Sequence, residues 1–232
     1  MCLTRRRCVA LGAAGALGAW ATALPVQAAA SVWNEFQTAI VRDNDRVMVN
    51  LLLRGMDPNT LDEHGQPALV KALRLESWRV ADALLMAPKV NVNAANRSGE
   101  TPLMLACIKG QLPLVRRLLA QGADVNQPGW APLHYVASAD LPDSVAIARI
   151  LLHDEHAYLD ATSPNGSTPL MLAAQYGSQA MVELLLAEGA DAHVRNHQGL
   201  TAIDFARRSE RAYLVELLQG HARNTRREPP SW

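Results

Sequence analysis

The chain has 232 residues, of which 49% are hydrophobic and only 5% aromatic, and its 22 basic residues balance its 22 acidic ones. Three of the basic residues, Arg5, Arg6 and Arg7, lie in the first thirty residues, which contain no acid, so the remainder has 19 basic against 22 acidic residues. Nucleic-acid-binding domains normally present a basic face, and this mildly acidic remainder argues against that class.

Residues 1–30 have the features of an export signal. The basic start precedes an uncharged run rich in Ala and Gly at 9–24, and small-residue cleavage sites follow at 26–28 and 28–30. The run is short for a membrane span, so an uncleaved anchor is the less favoured alternative. Residues 4–9 resemble the twin-arginine motif, and the general secretory route stays open. We therefore expect a periplasmic or secreted protein with no membrane span after cleavage.

Helix pairs are predicted from residue 31 onwards. In residues 31–60, a helix around Phe36 and Ile40 precedes an apolar helix that ends before Gly55. Residues 62–93 form a second, divergent pair. Neither stretch begins with the Thr-Pro start found further along the chain.

Residues 96–126 give the clearest local pattern. Thr101 and Pro102 predict a capped helix start, and Gly110 predicts the end of that helix. A second helix follows before Gly122, with an apolar stripe formed by Leu114, Val115, Leu118 and Leu119. Two short helices cannot bury this stripe alone, so the unit needs neighbours of the same kind.

The same signals recur with a period near 33. The positions that end the turn after each helix pair are 59, 93, 126, 160 and 193, which are 34, 33, 34 and 33 residues apart. The Thr-Pro-Leu signature of 101–103 returns at 168–170 and, more loosely, as Ala-Pro-Leu at 131–133 and Thr-Ala-Ile at 201–203. This pattern resembles the ankyrin repeat family over roughly residues 33–218. The resemblance implies an all-α solenoid of stacked helix-turn-helix units joined by β-hairpin-like loops, with about six repeats including caps.

The expected organisation follows from these positions. After the signal come a degenerate capping repeat at 31–60, ankyrin repeats across 61–195 (62–93, 96–126, 127–160 and 163–193), a C-terminal capping repeat at 196–218 and a mobile tail at 219–232. The repeat at 127–160 is irregular twice. Its hairpin is three residues shorter than that before Thr101, and the link between its helices is longer, at 138–144.

Catalytic chemistry finds little support in the sequence. No phosphate loop, nucleophile elbow, dinucleotide fingerprint or paired cysteines are present. The segment from His153 to His156 is the densest set of metal-ligand residues and supports only a disfavoured alternative, a metal-assisted envelope hydrolase; a solvated helix end is favoured. Cys107 lies among small residues of a first helix and is expected to pack there. We therefore expect no enzyme activity, no metal site and no cofactor.

The family resemblance implies a protein-protein interaction module that binds another protein through its concave surface and hairpin tips. Carried over by position, the expected contact residues are Trp130, Tyr176, Arg97, Glu100, Lys109, Arg74 and Gln127. Trp130 and Tyr176 form the centre of this patch, since aromatic residues dominate interface hot spots. Inward packing of Trp130 on its shortened hairpin is the alternative. We expect a monomer whose partner is a protein rather than a nucleic acid.

Overall fold

The computed structural model describes residues 26–225, which form a succession of helix pairs without an extended strand among them. Its helices are α1 (Val26–Val41), α2 (Asp45–Leu53), α3 (Ala68–Arg74), α4 (Trp78–Met86), α5 (Pro102–Ile108), α6 (Leu112–Ala120), α7 (Pro132–Ala137), α8 (Ser144–Arg149), α9 (Pro169–Gln175), α10 (Gln179–Ala187), α11 (Ala202–Arg208) and α12 (Ala212–Thr225). These six pairs confirm the predicted all-α solenoid.

The core runs along the stack because each helix pair buries its apolar face against the next pair. The first helices α1, α3, α5, α7, α9 and α11 pack in succession, while α8 packs against α6 and α10 on the other layer. One leucine in each of the four central first helices is at most 2% exposed: Leu69, Leu103, Leu133 and Leu170. The recurrence of the Thr-Pro-Leu signature therefore has a packing cause.

Hairpin-like loops join the pairs, as predicted. The backbone N–H of Asn96 donates to the carbonyl of Glu100 at 3.1 Å, and the Asn96 side chain accepts from the N–H groups of Ser98 and Glu100. Equivalent closures occur in three sister loops, which start at Asp62, Ser163 and Asn196. The polar residue that opens each loop thus satisfies its backbone donors.

A ladder of asparagine side chains connects the turns of successive repeats. Asn93 Oδ1 accepts from the N–H of Asp124 at 2.8 Å, and its Nδ2 donates to the carbonyl of Gly122 at 3.0 Å. Asn59 and Asn126 make the same pair of bonds to the turn one repeat further on. This ladder explains why asparagine recurs at the turn-ending position.

In the irregular repeat at 127–160, a shorter hairpin is accompanied by a longer link and an extended second helix. Its hairpin is short, but its second helix α8 continues into a π-helical turn, Ile150–Asp154. The longer link between its helices lays Leu141 on the preceding repeat, where a Cβ at Gly110 would lie 2.9 Å from the Leu141 side chain. The sequence predicted the short hairpin and the long link, but it did not predict the π-helical turn.

The structure changes two predicted boundaries. Helix α12 continues to Thr225 and Ala222 is only 8% exposed, so the first part of the expected mobile tail at 219–232 belongs to the last helix. Helix α1 begins at Val26, inside the predicted signal. The rest of that signal and residues 226–232 lie outside the described residues. No helix within 26–225 is long and apolar enough to cross a bilayer.

Candidate protein-binding surface

Trp130 and Tyr176, the two residues at the centre of the predicted patch, line one open groove of about 410 Å³. Trp130 lies on the short hairpin before α7, and Tyr176 lies directly after α9, one repeat further on. The remaining lining residues are Ile108, His134, Tyr135, Ser138 and Leu172. The groove therefore spans three consecutive repeats and is mainly aromatic and aliphatic.

The sequence left open whether Trp130 is exposed or packed inward, and in the structure it is partly both. Its ring is half-buried because its edge packs against His134, with ring centroids 5.4 Å apart at 79°, and against Tyr135, at 6.5 Å and 84°. Tyr176 is 59% exposed at the opposite wall. The packing holds the Trp130 ring in place while part of it still faces the groove, which suits a preformed anchor.

His134 supports the floor of the groove from a fully buried position. The N–H of Ala131 donates to its Nδ1 at 3.2 Å, so Nε2 carries the proton and donates to the carbonyl of Ser167 at 3.1 Å. Burial holds the pKa of His134 below its ordinary value, despite these hydrogen bonds. The ring is thus a neutral brace between two repeats, and it makes this link without a threonine at position 131.

Tyr135, Ile108 and Leu172 belong to the groove but were missed from the sequence. Burial, with a further contribution from the charge of Glu100, raises the pKa of Tyr135 to about 12. Tyr135 and Leu172 occupy equivalent positions of α7 and α9, and Ile108 ends α5. Their positions within the repeat indicated that they share one side of the stack. The sequence alone does not show whether the apolar stripe of such a short helix faces the core or the solvent.

The charged residues of the predicted patch form a rim beside the groove rather than part of its wall. Arg74 is paired with Glu100, and Lys109 is paired with Glu76, so both pairs join neighbouring repeats. Arg97 lies over the preceding hairpin, where a Cβ at Gly65 would be 3.2 Å from its Nε. Gln127 is half-buried on the short hairpin. Arg74, Glu100 and Lys109 are therefore members of surface ion pairs, whose net attraction is weak.

The alternative metal site at His153–His156 does not assemble. Nε2 of His153 lies 3.1 Å from a carboxylate oxygen of Glu188, while His156 has a φ of 53° in the turn and offers its backbone carbonyl to Asn126. Across residues 26–225, no three His, Cys, Asp or Glu side chains are grouped to hold a metal ion. These residues are neighbours in sequence, but their side chains do not converge on one point. Cys107 is fully buried, as expected, and burial raises the pKa of its thiol.

Comparisons with known proteins give relatives for most of the described chain. The chicken (Gallus gallus) nuclear factor NF-kappa-B p105 subunit is 29% identical over 172 residues, covering 72% of this chain and 17% of that protein. Human neurogenic locus notch homolog protein 4 is 41% identical over 97 residues, covering 40% of this chain and 5% of that protein. The chain therefore spans a small fraction of the length of these relatives.

A solved structure shares the fold. A chain in the complex of the Bd0816 predatory endopeptidase from Bdellovibrio bacteriovorus with immunity protein Bd3460 matches with a TM-score of 0.68 and 24% identity, covering 80% of this chain and 97% of that chain. A family model described as ankyrin repeats in three copies matches residues 36–129, 77–161 and 133–227. Helix pairs, hairpin loops and this family match agree, and the chain belongs to the ankyrin repeat family.

Proposed function

We propose that this protein is an exported, non-catalytic binding module that holds a partner protein in the groove between Trp130 and Tyr176. One observation carries the proposal: Trp130 and Tyr176, from neighbouring repeats, line one open groove whose other lining residues are mainly aromatic and aliphatic. Ankyrin repeats serve as protein-protein interaction modules, and half-buried aromatic side chains in preformed pockets are the usual anchors of such interfaces.

The partner's contact is expected to be an apolar side chain or short segment. Tyr176 and Ile108 are exposed at the groove, and the neighbouring charges of Arg74 and Lys109 are already paired. An apolar group entering the groove would release water from these surfaces without breaking those pairs. A groove of about 410 Å³ is large enough for one or two such side chains.

Comparative capture from an envelope extract tests this binding surface. Tyr176→Ser removes a groove tyrosine, and Tyr158→Ser is its matched control because Tyr158 is 67% exposed on a turn away from the groove. We expect one protein to be retained by the wild type and by the control, and lost with Tyr176→Ser. Equal retention by both variants would contradict the proposal.

Affinity measurements with the captured protein extend the test to Trp130. Trp130→Ala should weaken binding by about 2 kcal/mol or more, which is roughly thirtyfold. Its helical circular dichroism should persist. An endopeptidase is the first candidate partner that we would assay directly, because a chain of the same fold occurs in a complex of a predatory endopeptidase with an immunity protein.

Export is the second part of the proposal, and it rests on residues 1–30 of the sequence. Replacing Arg5 and Arg6 together by lysine should stop twin-arginine export and leave the precursor in the cytoplasm. Fractionation followed by immunoblotting measures this. Delivery of the double variant to the envelope would instead assign the general secretory route, and cytoplasmic wild-type protein would overturn export.

A further inference from the structure

A second, polar cleft lies at the C-terminal end of the stack. It has a volume of about 560 Å³ and lies between the loop that follows α10, helix α11 and the last turns of α12. Three arginines from these three elements line it: Arg195, Arg207 and Arg223. None of its lining residues belongs to the groove around Trp130.

The described lining of this cleft holds three arginines and one carboxylate, so its positive charges outnumber its negative charges by two. Arg207 Nη1 lies 3.0 Å from Oδ1 of Asp204, which is the acidic residue in the described lining. Arg195 Nη1 donates to the carbonyl of Gly199 at 2.7 Å, and Arg223 Nε donates to that of Gln219 at 3.3 Å. The hydrogen bond from the Thr201 N–H and the charges of Arg207 and Arg195 lower the pKa of Asp204, so this carboxylate interacts with both arginines. The two carbonyls are neutral, so the excess of two positive charges remains, and Arg195 and Arg223 retain further N–H donors.

His193 adds an unused polar atom to the same cleft. It occupies the turn-ending position at which Asn93 and Asn126 bind the next repeat. After the last repeat, α12 continues as a helix to Thr225 where a next turn would be, and Nε2 of His193 is buried without a hydrogen-bond partner among the described residues. Buried polar atoms without a hydrogen-bond partner are rare in folded proteins, so this nitrogen is available to bind a ligand.

We propose that this cleft binds the phosphate group of a small ligand. A phosphate monoester carries a charge of about −2 near neutral pH, which matches this excess of two positive charges, whereas a single carboxylate would offset only one of them. The planar guanidinium fork suits phosphate oxygens, and Nε2 of His193 supplies a further ring nitrogen. The cleft volume lies within the range of small-molecule sites.

Calorimetric titration of the wild-type protein with glycerol 2-phosphate tests the proposal. We expect saturable binding, at least tenfold weaker in Arg195→Gln and in Arg223→Gln. Arg116→Gln, which removes an exposed arginine from α6, is the matched control and should bind like the wild type. Trp130→Ala should also leave this binding unchanged, so the two proposed sites can fail independently.

Two further ligands test whether the cleft requires a phosphate group and whether that phosphate belongs to a lipid. Glutarate has the same formal charge but no phosphate, and binding as tight as that of glycerol 2-phosphate would overturn a phosphate site. Cosedimentation with phosphatidic acid vesicles, which present a phosphate monoester, that requires both Arg195 and Arg223 would place the phosphate on a lipid headgroup, and its absence would assign a soluble ester. No saturable binding of glycerol 2-phosphate, or equal binding by Arg223→Gln, would overturn the proposal. Arg223 is exposed on the last turn, so its variant should fold.

Discussion

At the scale of single residues, one position shows how different side chains fulfil the same structural role. The third residue of the first helix is Met104, His134, Met171 or Asp204 in successive repeats, and each accepts a hydrogen bond from the backbone N–H of the residue that precedes the helix. A thioether is a weak acceptor, so the methionine repeats depend more on packing. Of these four side chains, only His134 also forms a hydrogen bond with the next repeat, to the carbonyl of Ser167.

This contrast predicts a pH-dependent stability that depends on His134. The pKa of His134 is lowered in the folded protein, so the unfolded chain binds the proton more readily. The stability linked to this ring is therefore fully present above its ordinary pKa of 6.5 and is lost as pH falls below that value. Thermal melts at about pH 7.5 and about pH 5 should show this loss for the wild type.

His134→Met, which copies the sister repeats, should remove this component of the pH dependence. At about pH 7.5 it should be less stable by about 1–3 kcal/mol, because the carbonyl of Ser167 loses its donor. His64→Gln is the control, since His64 is exposed and should not affect the profile. An unchanged pH profile in His134→Met would show that another group causes it.

At the scale of the helices, the stripe on α6 predicts where truncation is costly. Leu118 is fully buried, and Leu118→Ala should lower the free energy of unfolding by about 2–5 kcal/mol. Leu53 is 84% exposed at the end of α2, and Leu53→Ala should change it by less than about 0.5 kcal/mol. Denaturant unfolding of both variants measures the difference. Equal effects would show that the stripe is misassigned.

The ladder between turns predicts a stabilising substitution. At the position of the ladder asparagines, Asp160 accepts from the N–H of Asp191 at 3.3 Å but has no amide to donate to the next turn. Burial and the nearby charge of Asp191 raise the pKa of Asp160, although the hydrogen bond opposes them. The folded environment of Asp160 therefore stabilises its charged form less than water does.

Asp160→Asn should therefore raise the free energy of unfolding by about 0.5–1.5 kcal/mol. The new amide could reach the carbonyl of Gly189, which corresponds to Gly122, the partner of Asn93. Asp154→Asn removes the charge of an exposed aspartate and should have little effect. A melting temperature of Asp160→Asn at or below that of the wild type would contradict this reading.

At the scale of the whole molecule, the period of the sequence predicted the stack because one packed unit repeats. The turn-ending positions 59, 93, 126, 160 and 193 mark five consecutive turns, and the hairpins appear where glycine recurs. The π-helical turn at Ile150–Asp154 was missed because its residues have ordinary helical composition. A longer link between helices does not specify how the following helix absorbs it.

The groove around Trp130 was predictable only in part, for a related reason. Trp130 and Tyr176 stood out because aromatic residues replaced polar ones at hairpin and helix-end positions. Tyr135 and Leu172 did not, since the position that they share looks like core in an isolated repeat. Which apolar residues remain open to solvent depends on how neighbouring repeats are spaced, and that is a property of the assembled stack.

The ladder has a further consequence for how the stack opens. In a linear array, the weakest interface decides where partial unfolding begins, and the missing amide at Asp160 weakens the junction between the third and fourth full repeats. The groove straddles this junction, with Tyr135 on one side and Tyr176 on the other. A bound partner would therefore act as a clamp, and complex formation should slow hydrogen exchange in α9 and α10 as well as at the contact itself.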